Sequence, residues 1–238
     1  MPQKIEFRIE NRILRALPAD ELRRLVPALQ EVELPLRKVL SKPDAMVEHV
    51  HFVQRGMISL VRPLDDGALV EVGIIGREGA SGISAALSAR PDSVEAMVQL
   101  PGSALRLPVR AFRAAMNSGP AFSSLVMRYA HALMIQVSQT AACNGRHTLQ
   151  ERLARWLLMA RDRFGGDTVP LAHEFLSMML GSRRAGITVA LGVFREAGII
   201  ANGRGKVVIR DLKLLEQSAC ECYSVVNQQS ELLLSASI

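Results

Sequence analysis

The side chains best equipped for chemistry are four basic groups in the C-terminal third: the adjacent Arg183 and Arg184, and Arg204 with Lys206 in a glycine-flanked turn. Clustered guanidinium and ammonium groups suit phosphate oxygens, and an arginine near a helix start can donate two hydrogen bonds to O6 and N7 of a guanine. Their setting supports that chemistry. The segment 171–211, LAHEFLSMMLGSRRAGITVALGVFREAGIIANGRGKVVIRD, reads as a short helix with Phe175, Leu176, Met179 and Leu180 apolar, a turn at Gly181, and a second helix with Ile187, Ala190, Leu191 and Phe194 apolar. That is helix-turn-helix spacing. With those four turned inward, Arg184, Ala185, Thr188, Val189 and Gly192 project the other way, free for a major groove. Ser182, Arg183 and the first amides of the second helix suit phosphates, whereas Ala185 and Val189 bring only methyl groups. Ile199-Ile200, an Asn202-Gly203-Arg204-Gly205 turn and a return strand over 206–210 make a hairpin wing. Between 172 and 210, Arg183, Arg184, Arg195, Arg204, Lys206 and Arg210 stand against Glu174 and Glu196, six against two, a net of +4. Winged helices also dock proteins, so a solvated basic face is the competing reading.

Other reactive groups are sparse. Cys220-Glu221-Cys222 has the makings of a thiol switch or half a metal site, but two sulfurs without nearby ligands read as structural. His49 and His51 alternate along a strand and, with Glu71, are the one thin set for a cupin-like metal enzyme; an edge-strand placement is the simpler expectation. No serine has an ordered His and carboxylate partner, GREG and ANGRGK are not nucleotide-hydrolase phosphate loops, and there is no HExxH. The expectation is a protein without a catalytic site, metal site or identifiable cofactor.

The elements that must carry the basic face follow from periodicity. Over 9–29, Ile13, Leu14, Leu17, Leu22, Leu25, Val26 and Leu29 recur at helical spacing broken at Pro18, giving two short helices. Over 32–107 the texture changes to the runs VELPL, VHFVQ, MISLV, LVEVGII, VEAMVQL and ALRLPV, separated by KPDA, RG, DDG, GREG and PG, which indicates six to eight antiparallel strands in a β-roll or jelly roll. A short helix over 109–116 precedes Asn117-Ser118-Gly119-Pro120, with Pro120 suited to the first turn of a long helix reaching about Ala142. That helix carries Phe122, Val126, Tyr129, Leu133 and Val137 on one stripe, widened by Leu125, Met134 and Ile135, enough apolar surface for the roll on one side and a second copy on the other. A further amphipathic helix over 150–164 puts Leu153, Trp156, Leu157 and Ala160 inward and Arg152, Arg155, Arg161, Asp162 and Arg163 outward, with a boundary over 144–148.

The bulk properties agree. A chain of 238 residues, 49% hydrophobic and 22% charged, has material for one or two cores and too little charge for disorder, and its net +6 points weakly to polyanions. Three cysteines, no signal-like leader in MPQKIEFRIENRIL and no run of 18 apolar residues fit a soluble protein of a reducing cytoplasm that avoids membranes.

The order of β-roll, long helix and winged helix, with HEFLSMMLGSRRAGITVAL, EAGII and RGKVVIRD, resembles the Crp/Fnr superfamily of transcription regulators, of the cyclic-AMP receptor protein type, over nearly the whole chain. The resemblance implies an α+β fold: a cyclic-nucleotide-binding-like β-roll (a double-stranded jelly roll) over 1–116, a dimerisation helix over 117–145 and a winged helix-turn-helix DNA-binding domain over 146–238. It also implies a homodimer on a pseudo-palindromic operator in double-stranded DNA, its recognition helices about 34 Å apart, RNA polymerase as a further partner, and Arg184 as the guanine reader. Departures limit it. Ala172 replaces a capping Thr or Ser, and Ala185 and Val189 replace the other base readers. Ile83 and Val94 occupy the positions of the glutamate and arginine that hold a cyclic nucleotide, with Glu95 alongside, so cyclic AMP is not expected to bind. No cysteine precedes Cys143 to hold an iron-sulfur cluster, and Pro2 alone is too little for a haem reading. A cyclic-nucleotide-responsive module whose winged helix contacts protein remains the alternative.

Overall fold

The structure is a computed structural model that describes residues 8–88, 91–171, 173–203 and 205–235. Arg204, Ala172 and Pro2 lie outside the described residues.

Two short helices, α1 (Arg12–Arg15) and α2 (Ala19–Leu25), and a 3-10 turn (Val26–Ala28) lead into the roll. The roll is a six-stranded antiparallel sheet of β1 (Gln30–Leu34), β2 (Val39–Ser41), β3 (His49–Pro63), β4 (Leu69–Ile75), β5 (Ala80–Ser81) and β6 (Glu95–Pro108), ordered β1-β6-β3-β4 with β2 on β6 and β5 on β3. A short helix, α3 (Ser84–Leu87), follows β5. Six strands fall within the expected number, but RG and PG do not separate strands. VHFVQ and MISLV are one strand, and VEAMVQL and ALRLPV another; Arg55-Gly56 and Pro101-Gly102 are bulges facing each other across the β3–β6 pair, where the register shifts. Gly56 has φ +87, and a Cβ there would stand 2.5 Å from the Leu100 carbonyl oxygen; only glycine fits.

From the roll, α4 (Val109–Ser118) and α5 (Pro120–Arg146) carry the chain away. Proline opens α5 as expected, and the cap comes from a distance: the buried Glu21 carboxylate accepts from the amides of Ala121 (3.1 Å) and Phe122 (2.8 Å). Midway, Gln136 clasps the edge of β4, accepting from Ile74 N at 2.6 Å and donating to Ile74 O at 3.1 Å. The helix runs through the Cys143-Asn-Gly-Arg step and ends at His147, beyond the expected Ala142, because Gly145 within a packed helix costs only about 1 kcal/mol.

Next come α6 (Leu149–Phe164), β7 (Thr168–Pro170), α7 (His173–Met179), α8 (Arg184–Glu196), β8 (Ile200–Gly203), β9 (Lys206–Ile209), α9 (Leu212–Gln217) and α10 (Cys222–Ser235). A capping box between Thr148 and Glu151 starts α6, and Gly165, left-handed at φ +84, ends it. The wing has three strands, β7-β9-β8, one more than the hairpin read from sequence.

Two cores result. One fills the roll and takes in α1, α2, α4 and the first half of α5, including Phe122, Leu125, Val126 and Tyr129. The other unites α6, α7, α8 and the wing with Met57, Val61, Ile74, Met97 and Leu100 of the roll. The winged helix is therefore docked on the roll. Arg155 and Arg163, expected outward, are both buried: Arg163 Nε lies 2.8 Å from the Glu78 carboxylate of the roll, and Arg155 Nη1 donates to Thr140 Oγ1 of α5 at 3.3 Å. Helix α6 is covered on more sides than one amphipathic stripe discloses.

Candidate nucleic-acid interface

The basic face rests on a helix pair locked from behind. Phe175, Leu176, Met179, Leu180, Ile187, Ala190, Leu191 and Phe194 are all buried, as their spacing requires. Gly181, at φ +53, turns the chain between α7 and α8, and Arg152 of α6 donates to the Leu180 carbonyl at that turn. A Cβ on Gly186 would stand 3.1 Å from Leu149 Cδ2, so glycine allows α8 to seat closely on α6.

The outward residues lie where the spacing puts them. Arg183 is the N-cap of α8, extended and without a side-chain capping bond, and Arg183, Arg184, Ala185, Thr188 and Val189 are exposed, with Ser182 half-buried in the turn. The first backbone bond back into the helix is Ile187 N to Arg183 O, so the amides of residues 184–186 have no acceptor within the helix. Free amides at the positive end of a helix dipole beside two arginines make an anion site. Thr188 differs from the expectation of a free reader: its hydroxyl donates to the Arg184 carbonyl at 3.0 Å. Sequence reasoning passed over Val193, one turn beyond Val189; the two are 46% and 64% exposed, unusual for valines on a packed helix. Their i, i+4 spacing on the arginine side was the available signal. Lys206 is exposed at the start of β9, its stem folded across Gly203.

On α5 the expected dimerisation stripe splits. Phe122, Val126 and Tyr129 are almost fully buried in the chain's own roll core, while Leu133 and Val137 are half-buried. The exposed line is Met127, His131, Met134, Ser138 and Ala141. Beside it, between α5 and the roll, opens a cleft of ≈ 500 Å³ whose lining is mostly apolar and includes Ile83, Val94, Met127 and Met134. Among the described residues its only titratable side chains are Asp92 and His131, so no described lysine or arginine waits there for a phosphate.

His49 and His51 lie on β3 with ring centroids 6.3 Å apart, and burial, with the neighbouring His49, Arg106 and Lys38 charges, pushes His51 down to about 4. Among the described residues neither joins Glu71 in a ligand set; the one cluster of metal-ligating types is Cys143, His147, Cys220 and Cys222. No helix of the described residues is long and apolar enough to cross a membrane.

Comparison with known proteins agrees with this geometry. The Crp-like helix-turn-helix domain family matches residues 151–218. A global nitrogen regulator from a Nostoc species is 23% identical over 181 residues, covering 72% of this chain and 81% of the relative. Among solved structures, FixK2 from Bradyrhizobium japonicum superposes with a TM-score of 0.70 at 18% identity, covering 81% of this chain and 98% of that one. The c-di-GMP responsive global regulator CLP from Xanthomonas campestris gives 0.67 at 13% identity, covering 82% and 100%. The chain thus carries a Crp-like helix-turn-helix domain on α6 to α9 and has the fold of Crp/Fnr regulators over most of its length, the features of a DNA-binding transcription regulator.

Proposed function

We propose that the protein acts as a homodimer on a pseudo-palindromic site in double-stranded DNA, residues 1–116 forming the sensor, 117–145 the dimerisation helix and 146–238 the DNA-binding domain. The observation that carries this reading is the outer face of α8: Arg183 and Arg184 beside unpaired amides, followed by the exposed Val189 and Val193. Arg184 reads a guanine, the first-turn amides with Ser182, Arg183, Lys206 and Arg204 hold phosphates, and Ala185, Val189 and Val193 touch thymine methyls. Thr188 supports the helix start rather than a base. A cytoplasmic, non-enzymatic regulator that recruits or hinders RNA polymerase fits this assignment.

Binding of a labelled duplex, selected from a random pool without added ligand, tests it. Arg184→Ala is expected to weaken the selected site by about 1–3 kcal/mol, roughly 5- to 150-fold, while leaving non-specific duplex binding nearly intact. Equal affinity of the variant and the parent for the selected site would remove Arg184 as the guanine reader, and a selection that yields no bound duplex would favour the protein-docking reading of the winged helix.

The second copy is assigned to the exposed line of α5. Met127, His131, Met134, Ser138 and Ala141 follow a 4-3-4-3 spacing, the seam of a left-handed helix pair. Phe122, Val126 and Tyr129 instead fix α5 to the roll. Met134→Asp is expected to turn dimer into monomer in sedimentation velocity at micromolar concentration; an unchanged dimer would move the interface elsewhere.

The effector reading is that cyclic AMP is not the ligand. The cleft has Ile83 and Val94 where a cyclic-nucleotide site needs its glutamate and arginine, and no described lysine or arginine lines it to hold a cyclic phosphate.

A further inference from the structure

Cys143, His147, Cys220 and Cys222 come from two places far apart in the sequence. The first two end α5 on one face, one turn apart, and the other two stand where α9 gives way to α10. Their ligand atoms all lie within 4.8 Å of one another. Cys143 Sγ is 3.5 Å from Cys220 Sγ, and Cys222 Sγ is 3.5 Å from His147 Nδ1. A tetrahedral zinc ion with Zn–S of about 2.3 Å and Zn–N of about 2.05 Å spans sulfur–sulfur edges of about 3.8 Å and sulfur–nitrogen edges of about 3.5 Å. The two 3.5 Å contacts are close to those edges, and all four atoms fall within 4.8 Å. A multi-iron cluster, with its own sulfides between the ligands, needs a wider cage.

The surroundings are those of a site prepared for a cation. His147 Nε2 faces the Glu221 carboxylate at 3.3 Å, a partner for an Nε2–H that suits Nδ1 to act as the ligand atom toward the cysteines. Gln139 Nε2 donates to Cys222 Sγ at 3.0 Å, as an amide does to a metal-bound thiolate. The three cysteines are buried and form a small cluster of their own. Arg155, 4% exposed, has an Nε without a hydrogen-bond partner, and its positive charge acts on Cys143. Three neutral thiols offer that guanidinium no negative charge of their own. A divalent ion on three thiolates and a neutral imidazole carries a net charge of −1 and supplies it.

We propose that Cys143, Cys220, Cys222 and His147 Nδ1 form a Cys3His site for a divalent, zinc-class ion. Binding replaces three S–H protons, released to solvent, by three metal–sulfur bonds, and involves no change of oxidation state. The position gives the site its purpose. Two ligands precede the winged helix and two follow it, so the ion clasps both ends of the DNA-binding domain to the foot of α5. Its loss removes that clasp and leaves the domain held by its core contact with the roll.

The test uses the full chain, purified under reducing conditions without chelator. Elemental analysis is expected to find about one zinc per chain, and Co²⁺ added to the stripped protein is expected to give the intense visible bands and near-ultraviolet thiolate charge transfer of tetrahedral cobalt. Cys220→Ser with Cys222→Ser is expected to lower bound zinc at least about tenfold, and His147→Gln to shift the cobalt bands. The wild-type cobalt spectrum decides the matter even where a variant does not fold, since it reports the thiolates directly. Three reactive thiols with no zinc or cobalt uptake, a Cys143–Cys220 disulfide in the purified protein, or iron in place of zinc would each overturn the proposal.

Discussion

Trp156→Ala is expected to lower unfolding free energy by about 3–5 kcal/mol, a large part of the 5–15 kcal/mol typical of a folded domain. Trp156 lies on α6, 2% exposed, in the core that joins the winged helix to Met57, Val61 and Ile74 of the roll. Truncation leaves a cavity between two parts of the molecule, neither of which can collapse into it without shifting the sheet or the helix. It also removes the indole N–H that donates to Glu71 Oε1 at 2.7 Å, leaving a buried carboxyl oxygen without its partner. Trp156→Phe separates the contributions: the ring remains, only the donor is lost, and the expected cost falls to about 1–3 kcal/mol. Urea denaturation followed by circular dichroism checks both. An alanine variant within about 1 kcal/mol of the parent would mean that the winged helix and the roll are not docked as described.

Docking of this kind was scarcely legible in the sequence, whereas the recognition helix was. The buried set of α7 and α8 repeats every three or four residues within one short segment, and such local repetition registers in any window. Arg155 and Arg163 show the opposite case. Their helix has a clear apolar face, so charges off that face read as solvated, yet Arg163 meets Glu78 across more than eighty positions of sequence and Arg155 lies between Thr140 and the cysteine cluster. Periodicity says how many sides are apolar, not how many are covered. The glycines of β3 and β6 are ambiguous for a related reason. A glycine between two apolar runs marks a turn or a bulge equally well, and only the pairing of Gly56 against Leu100 and Pro101 decides. On α5 the sequence supplied the amount of apolar surface but not its division between the roll and a partner. The cysteines were visible singly, while the step that makes them a set, the return of α10 to the end of α5, is long-range.

Stability is expected to fall by about 3 kcal/mol between pH 4.5 and 8 through one carboxyl at the docked interface. Glu71, on β4, is buried beneath α6 and receives hydrogen bonds from Ser59 Oγ at 2.5 Å and Trp156 Nε1. Burial pushes its carboxyl from 4.5 up to about 7; the two donors and the Arg155 and Arg163 charges oppose the shift without cancelling it. The unfolded chain gives up this proton near pH 4.5, while the folded chain keeps it to about pH 7. Over that interval unfolding releases a proton, so the stability the neutral carboxyl confers is complete below pH 4.5 and lost as pH rises through 7. Glu71→Gln keeps the shape, can still accept from the indole N–H, and has no charge to desolvate. The stability of the Gln variant minus that of the parent, measured by urea denaturation at steps across this range, is expected to rise by about 3 kcal/mol from the acid to the alkaline end. A difference that stays flat with pH would show that Glu71 titrates normally. Because Glu71 touches both Ser59 of the roll and Trp156 of the DNA-binding part, its ionisation near neutral pH strains the contact that holds them together. The variant is therefore also expected to resist limited proteolysis between the roll and the winged helix at pH 8 longer than the parent does.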